Sequence, residues 1–195
     1  MEGTFLWLAT FFSKYYQPFL EKRCRLKVRA SWSKNSLSIY LKKEKKVIFY
    51  ALRGDDKGIS IHRNDRALPL YHYLDPPIIY SHDDALRAFF FLTGKVMREA
   101  ICISISSILN YHKIFATVIA PGEPIQVLTE ITERNALSIT PLLKGDTIRF
   151  NFSRVKGELA NNEIIPIGSI ETPPSKFRPQ EIAKVARQLL GLLNL

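Results

Sequence analysis

The chain has few cysteines, and its histidines do not form a metal-binding pattern. Cys24 and Cys102 are the only cysteines among 195 residues, too few for a disulfide framework. This favours a reducing, intracellular location, either cytoplasmic or in a nucleoid or nucleus. The four histidines lack metal-ligand spacing, with each other and with the cysteines. The sequence therefore predicts neither a metal nor another cofactor.

Phosphate-binding and nucleophile motifs are also missing. At Thr93-Gly94-Lys95-Val96 the P-loop pattern fails, because Phe89 replaces the first glycine and Val96 replaces the serine or threonine. The sequence has no Gly-x-Ser-x-Gly elbow and no dinucleotide fingerprint, and the Gly-x-x-Gly clamp and aromatic ribonucleoprotein motif of RNA-binding modules are absent too. These absences favour a non-catalytic protein, although catalytic residues can also be assembled from distant positions in a sequence.

The chain has no apolar run of about 20 residues, the length that spans a bilayer as a helix. The apolar opening around Trp7 is shorter, and Glu2 stands where a signal peptide carries basic residues. Thr4 suits the cap of a helix that continues until Pro18, with an apolar face that predicts docking on the core or a partner subunit. The alternative is an interfacial membrane anchor, which is disfavoured because Lys14 is its only basic residue.

The charged residues are distributed very unevenly along the chain. The segment Lys22–Arg53 holds eleven basic residues and a single acid, Glu44, and so carries the whole formal net charge of +10. Elsewhere the acidic and basic residues balance. A protein with its charge excess in one short region has one surface directed at an anionic partner.

Alternation within this basic segment predicts a three-stranded β-meander. Apolar and polar residues alternate strictly from Arg25 to Trp32, which is typical of a strand with one buried and one wet face. The pattern returns at Leu37–Leu41, and Val47–Leu52 reads as a third strand. This pairing would bring Arg25, Lys27 and Arg29 alongside Ser38, Tyr40 and Lys42 on the wet face.

Crowded cations on a sheet face repel each other unless an anion relieves them, and arginine, hydroxyl and tyrosine side chains suit phosphate contacts and base stacking. We therefore expect a non-catalytic nucleic-acid-binding protein, DNA or RNA, acting as a regulator or as a subunit of a nucleoprotein assembly. The predicted contact residues are Arg25, Lys27, Arg29, Lys34, Tyr40, Lys42, Lys43, Lys45 and Lys46. The alternatives are a peripheral membrane protein that binds anionic lipid through the same face, an adaptor for an acidic protein, and an edge that merely deters aggregation.

The rest of the sequence predicts helices and hairpins. Asp83 and Asp84 begin a helix that is capped by Ser81 and reaches Leu109, unless Ile101–Ile105 forms a strand instead. Hairpins follow, and Pro179 opens a C-terminal amphipathic helix that packs on the body or on another subunit. The predicted class is α+β: an antiparallel sheet with the basic meander, a central helix packed on it, further hairpins and the C-terminal helix. We expect one domain, 1–195, or alternatively a division into 1–120 and 121–195.

Overall fold

The computed structural model describes residues 3–55, 58–64, 66–68, 82–132, 135–157 and 163–193. The chain divides into two compact units, Met1–Met97 and Arg98–Leu195. The boundary falls inside one long helix, α3, which spans His82–Tyr111. The predicted α+β class is confirmed, with its strands in two antiparallel sheets. The predicted single domain and its alternative division near Ala120 stay predictions.

The first unit is an antiparallel meander with two short helices before it. Its five strands pair in chain order, so the predicted basic meander is confirmed as the first three strands of a larger sheet. Ahead of α3, its elements are α1 Thr4–Tyr15, α2 Gln17–Lys22, β1 Lys27–Ser33, β2 Ser36–Lys43, β3 Lys46–Asp55, β4 Gly58–Arg63 and β5 Arg66–Leu68.

The helix α1 packs against the first two strands of this sheet. It contacts β1 and β2 and buries Phe5, Leu8 and Phe12. Its cap is Gly3 rather than the predicted Thr4, since the left-handed φ of 111° at Gly3 suits glycine. Pro18 lies in the first turn of α2, where a missing backbone N–H is tolerated.

Strand β2 shows the two-faced character of the sheet most clearly. Leu37, Ile39 and Leu41 are buried on one face, while Tyr40 and Lys42 are exposed on the other. Because α1 contacts β1 and β2 and needs apolar partners, it packs on the face of Leu37, Ile39 and Leu41. The opposite face of β2 is open to solvent at Tyr40 and Lys42.

The second unit is built in the same way from another antiparallel meander, whose five strands also pair in chain order. Phe150 of the sheet is fully buried, and its ring stacks on Phe177 at a centroid distance of 5.7 Å. After α3, its elements are β6 Ala116–Ile119, β7 Gln126–Thr132, β8 Asn135–Lys144, β9 Thr147–Lys156, β10 Glu163–Thr172, a 3-10 turn Pro174–Lys176 and α4 Pro179–Leu193. The C-terminal helix begins at Pro179, as predicted, and contacts β8.

The helix α3 runs without a break, so the alternative strand at Ile101–Ile105 is not formed. Asp83 and Asp84 occupy its first turn, where the helix dipole favours acids. The predicted cap, Ser81, lies outside the described residues. Gly94 does not interrupt the helix, because the apolar residues around it are buried and packing outweighs the weak propensity of one glycine.

Asn110 secures the end of α3 to the start of β6. Its side-chain amide donates to the backbone oxygen of Ala116 at 2.9 Å and accepts from the backbone nitrogen of Ala116 at 3.0 Å. Asn110→Ala removes both bonds, and we expect a loss of about 1–2 kcal/mol in the free energy of unfolding. Urea denaturation measures this loss. Asn110→Asp keeps the acceptor but sets a carboxylate oxygen against the Ala116 carbonyl at a helix C-terminus, so it should be no more stable than the alanine variant. Equal stability of all three proteins would contradict this role.

Candidate functional site

The register of the first three strands arranges the wet-face side chains in rows. Across β1, β2 and β3, Lys27 pairs with Lys42 and Lys42 with Val47, which forms the first row. In the next row, Arg29 pairs with Tyr40 and Tyr40 with Phe49. Directly opposite side chains in such a ladder have Cβ atoms about 4.5–5.5 Å apart.

These two rows form a small surface that is both basic and aromatic. We call it the basic patch, and it consists of Lys27, Arg29, Tyr40, Lys42, Val47 and Phe49. Lys27, Arg29 and Lys42 are exposed, and among the described residues none of the three has an ion-pair partner. The rows contain no acidic residue. Three cations therefore face solvent together, with no acidic partner among the residues that the structure describes.

The aromatic part of the patch lies beside these cations. The rings of Tyr40 and Phe49 are 4.8 Å apart, and Tyr40 is 39% exposed. Val47 extends this apolar strip and is 53% exposed. An apolar strip open to water next to unpaired cations is unfavourable for an isolated fold, and a planar anionic ligand would cover both.

The patch ends where the sheet face becomes buried or carries serine side chains. In the third row, Ser31 pairs with Ser38 and Ser38 with Ala51, and Ala51 is only 1% exposed. In the fourth row, Ser33 pairs with Ser36 and Ser36 with Arg53. The open, charged part of the face is thus confined to the first two rows.

Arg25 does not take the predicted strand position. The strand β1 begins only at Lys27, and Arg25 precedes it with a left-handed φ of 56°. The predicted partners shift accordingly: Ser31, rather than Arg25, completes the set that faces Ser38, Tyr40 and Lys42. Arg25 remains exposed, at the entry to the strand rather than in a row.

Lys43 lies on the opposite face from its neighbour Lys42. It follows Leu37, Ile39 and Leu41 in the alternation of β2, and its ammonium donates to the backbone oxygen of Cys24 at 3.3 Å. Burial lowers the pKa of Lys43 below its usual value, and Arg25 acts in the same direction, whereas Cys24 and Glu44 oppose the shift. Lys43 therefore fastens the loop after α2 to the sheet.

The remaining predicted lysines lie at the two ends of the hairpins. Lys34 is exposed in the turn between β1 and β2, at the far end from the basic patch. The turn between β2 and β3 contains Lys45, and Lys46 begins β3 opposite Lys43. Both are exposed near the first row, so they can add long-range attraction without belonging to the face.

Sequence reasoning missed Phe49 and Val47 as members of this face, because β3 reads as an almost unbroken apolar run. Counting the alternation of β2 across the turn would have found them, since Lys42 pairs with Val47 and Tyr40 with Phe49. Arg53 was also missed, and it is exposed on the same face at the distant fourth row.

The N-terminal aromatic residues lie away from the basic patch. Phe5, Leu8 and Phe12 point into the core, whereas Trp7 is 47% exposed. Trp7 contacts Phe11, whose ring in turn meets Phe90 of α3. Because α1 packs on the apolar side of the sheet, Trp7 lies on the side of the sheet opposite the wet face.

In the described part of the chain, no three residues of the histidine, cysteine, aspartate and glutamate types come together as a metal site. Both cysteines are buried thiols. No helix among the described residues has the length and apolar character needed to cross a membrane.

Comparisons with protein-family models, with curated proteins and with solved structures found no match to this chain.

Proposed function

We propose that this protein binds nucleic acid through the basic patch and that it does so without catalysis, as a regulator or as a subunit of a nucleoprotein assembly. The observation that supports this most is the register of β1 and β2, which sets Lys27, Arg29 and Lys42 side by side with Tyr40 on an accessible sheet face. The location that goes with this proposal is intracellular, cytoplasmic or in a nucleoid or nucleus.

The cations supply the affinity in this account. Each phosphate that a lysine or arginine neutralises releases condensed counterions, which favours binding and makes it sensitive to salt. Arg29 can also form two parallel hydrogen bonds with one phosphate, whereas Lys27 and Lys42 act as compact point charges. Lys45 and Lys46, exposed at the adjacent turn, raise the local positive potential and favour encounter with a polyanion.

The position of α1 supports nucleic acid over a membrane surface. A peripheral membrane protein that uses both anionic lipid and aromatic anchors presents them to one plane. Here Trp7 belongs to α1, on the apolar side of the sheet, whereas the basic patch lies on the other face. A flat bilayer would therefore contact one of them and leave the other in water.

An acidic protein partner would satisfy the cations but makes less use of the aromatic strip. Carboxylates on a folded partner pair with Lys27, Arg29 and Lys42, yet they offer no planar group for the exposed ring of Tyr40. A nucleic acid presents phosphates and flat bases a few ångströms apart along one chain, which suits alternating cations and rings.

A salt titration with three probes tests the proposal. Binding of the full-length protein to a fluorescent mixed-sequence oligonucleotide is measured by anisotropy, beside vesicles that contain anionic lipid and a polyglutamate peptide. With about three phosphates neutralised by the patch, log K should fall with log[salt] at a slope of roughly −2 to −3.

The probes should differ clearly if nucleic acid is the ligand. The oligonucleotide should bind tightest, and Trp7→Ala should change its affinity by less than about twofold, since Trp7 lies away from the patch. Tighter binding to the vesicles, with a strong loss in Trp7→Ala, would favour the membrane alternative. Preference for polyglutamate would favour an acidic protein, and a flat salt response of oligonucleotide binding would contradict the electrostatic account.

A further inference from the structure

The centre of the basic patch is a pair of aromatic rings. The ring of Tyr40 is 39% exposed and lies 4.8 Å from that of Phe49 at a tilt of 37°. Arg29 pairs with Tyr40 in the same row. A ring pair and an arginine thus lie next to each other on one face of the sheet.

In a duplex the faces of the bases are occupied by their neighbours in the stack, and a flat protein surface meets only phosphates, sugars and groove edges. Unpaired bases expose their faces and can stack on aromatic rings or guanidinium planes. A site for duplex phosphates alone has no use for the exposed ring of Tyr40 or for Val47, which is 53% exposed beside it.

We propose that the basic patch takes single-stranded nucleic acid, with a base stacked on Tyr40 and Phe49 and the flanking phosphates on Lys27, Arg29 and Lys42. This inference rests on the proposed function and narrows its ligand to unpaired strands. Stacking tolerates every base, because all four have aromatic faces, so the binding has little sequence preference.

The spacing of the rows agrees with this arrangement. Lys27 and Arg29 are two residues apart in β1, about 6.6 Å along the strand, with Lys42 and Tyr40 directly opposite them. Cations therefore lie on two sides of the exposed ring, and a strand can place one base on Tyr40 while its neighbouring phosphates reach Lys42 and Arg29.

The test compares strands with the same phosphates and different bases. Full-length protein is titrated at one salt concentration with a single strand of about 12 nucleotides, within the length one small domain covers, with the blunt duplex of that sequence, and with a strand that carries abasic sites. The intact single strand should bind tightest. The abasic strand should lose roughly 5- to 100-fold in affinity, the range for one stacked base.

Substitutions of Tyr40 test the same stacking contact in the protein. Tyr40→Ala should weaken the intact single strand by roughly 5- to 100-fold and change the duplex or abasic strand by less than about twofold. Tyr40→Phe should keep the wild-type affinity, because it keeps the ring. Tyr111→Ala is the matched control, since this tyrosine is 84% exposed in the second unit.

The outcomes separate the two proposals. Equal affinity for the intact and abasic strands, or for single strand and duplex, would overturn the stacking site while nucleic-acid binding stood. Absence of salt-dependent binding to any strand would overturn both. The abasic comparison uses the wild-type protein, so it decides the question even if Tyr40→Ala does not fold.

Discussion

We expect nucleic acid to bind at least about tenfold more weakly to the triple variant Lys27→Gln, Arg29→Gln, Lys42→Gln. The slope of log K against log[salt] should become shallower by roughly two to three units. Glutamine keeps much of the length and polarity of these side chains and removes three charges from one sheet face. Fluorescence anisotropy across a range of salt concentrations measures both quantities. Stability should hold or rise slightly, because the like-charge repulsion between Lys27 and Lys42, which are directly opposite, disappears.

A matched control removes the same charge elsewhere. Lys144, Lys176 and Lys184 are exposed in the second unit, and their replacement by glutamine lowers the net charge equally. If the patch is the binding site, this control should keep affinity within a few fold and lose little of the salt slope. Equal weakening in the two triple variants would show that net charge, rather than the placement of Lys27, Arg29 and Lys42, carries the binding.

Phe150→Ala is expected to destabilise the second unit by about 3–5 kcal/mol. Phe150 is fully buried, and its ring stacks on that of Phe177, so truncation removes apolar contacts and leaves a cavity inside the sheet core. Calorimetry or denaturant unfolding monitored by circular dichroism measures the loss.

Phe115→Ala provides the comparison for this stability experiment. Phe115 is 64% exposed in the same unit, and its truncation should change the free energy of unfolding by less than about 0.5 kcal/mol. Similar losses in the two variants would mean that Phe150 does not occupy the core position described above.

Much of this fold could be predicted from local patterns. Period-two alternation predicted the strands of the basic meander, because a strand with one buried and one solvent-exposed face has apolar and polar residues in alternation. Pro179 marked the start of α4, and Asp83 with Asp84 marked the start of α3, through local effects on the helix N-terminus. The division of the strands into two sheets depends on long-range pairing, which such patterns do not record.

The candidate site was predicted less completely, and the reasons are specific. Arg25 continues the alternation of charges in the sequence, but its backbone is left-handed and β1 begins only at Lys27. Lys42 and Lys43 look equivalent in a run of lysines, although the pleat sends them to opposite faces and Lys43 bonds to the Cys24 carbonyl. Phe49 belongs to an almost unbroken apolar run in the sequence, so its place beside Tyr40 is visible only in the strand register.

Amine footprinting tests the central proposal most directly, because it reports which lysines a ligand covers. The protein is acetylated briefly, with and without saturating single-stranded oligonucleotide, and the modified lysines are identified by mass spectrometry. The account predicts that Lys27 and Lys42 lose reactivity on binding, while Lys144, Lys176 and Lys184 in the second unit keep theirs. Unchanged reactivity of Lys27 and Lys42 at saturation, or protection of the second-unit lysines instead, would contradict it.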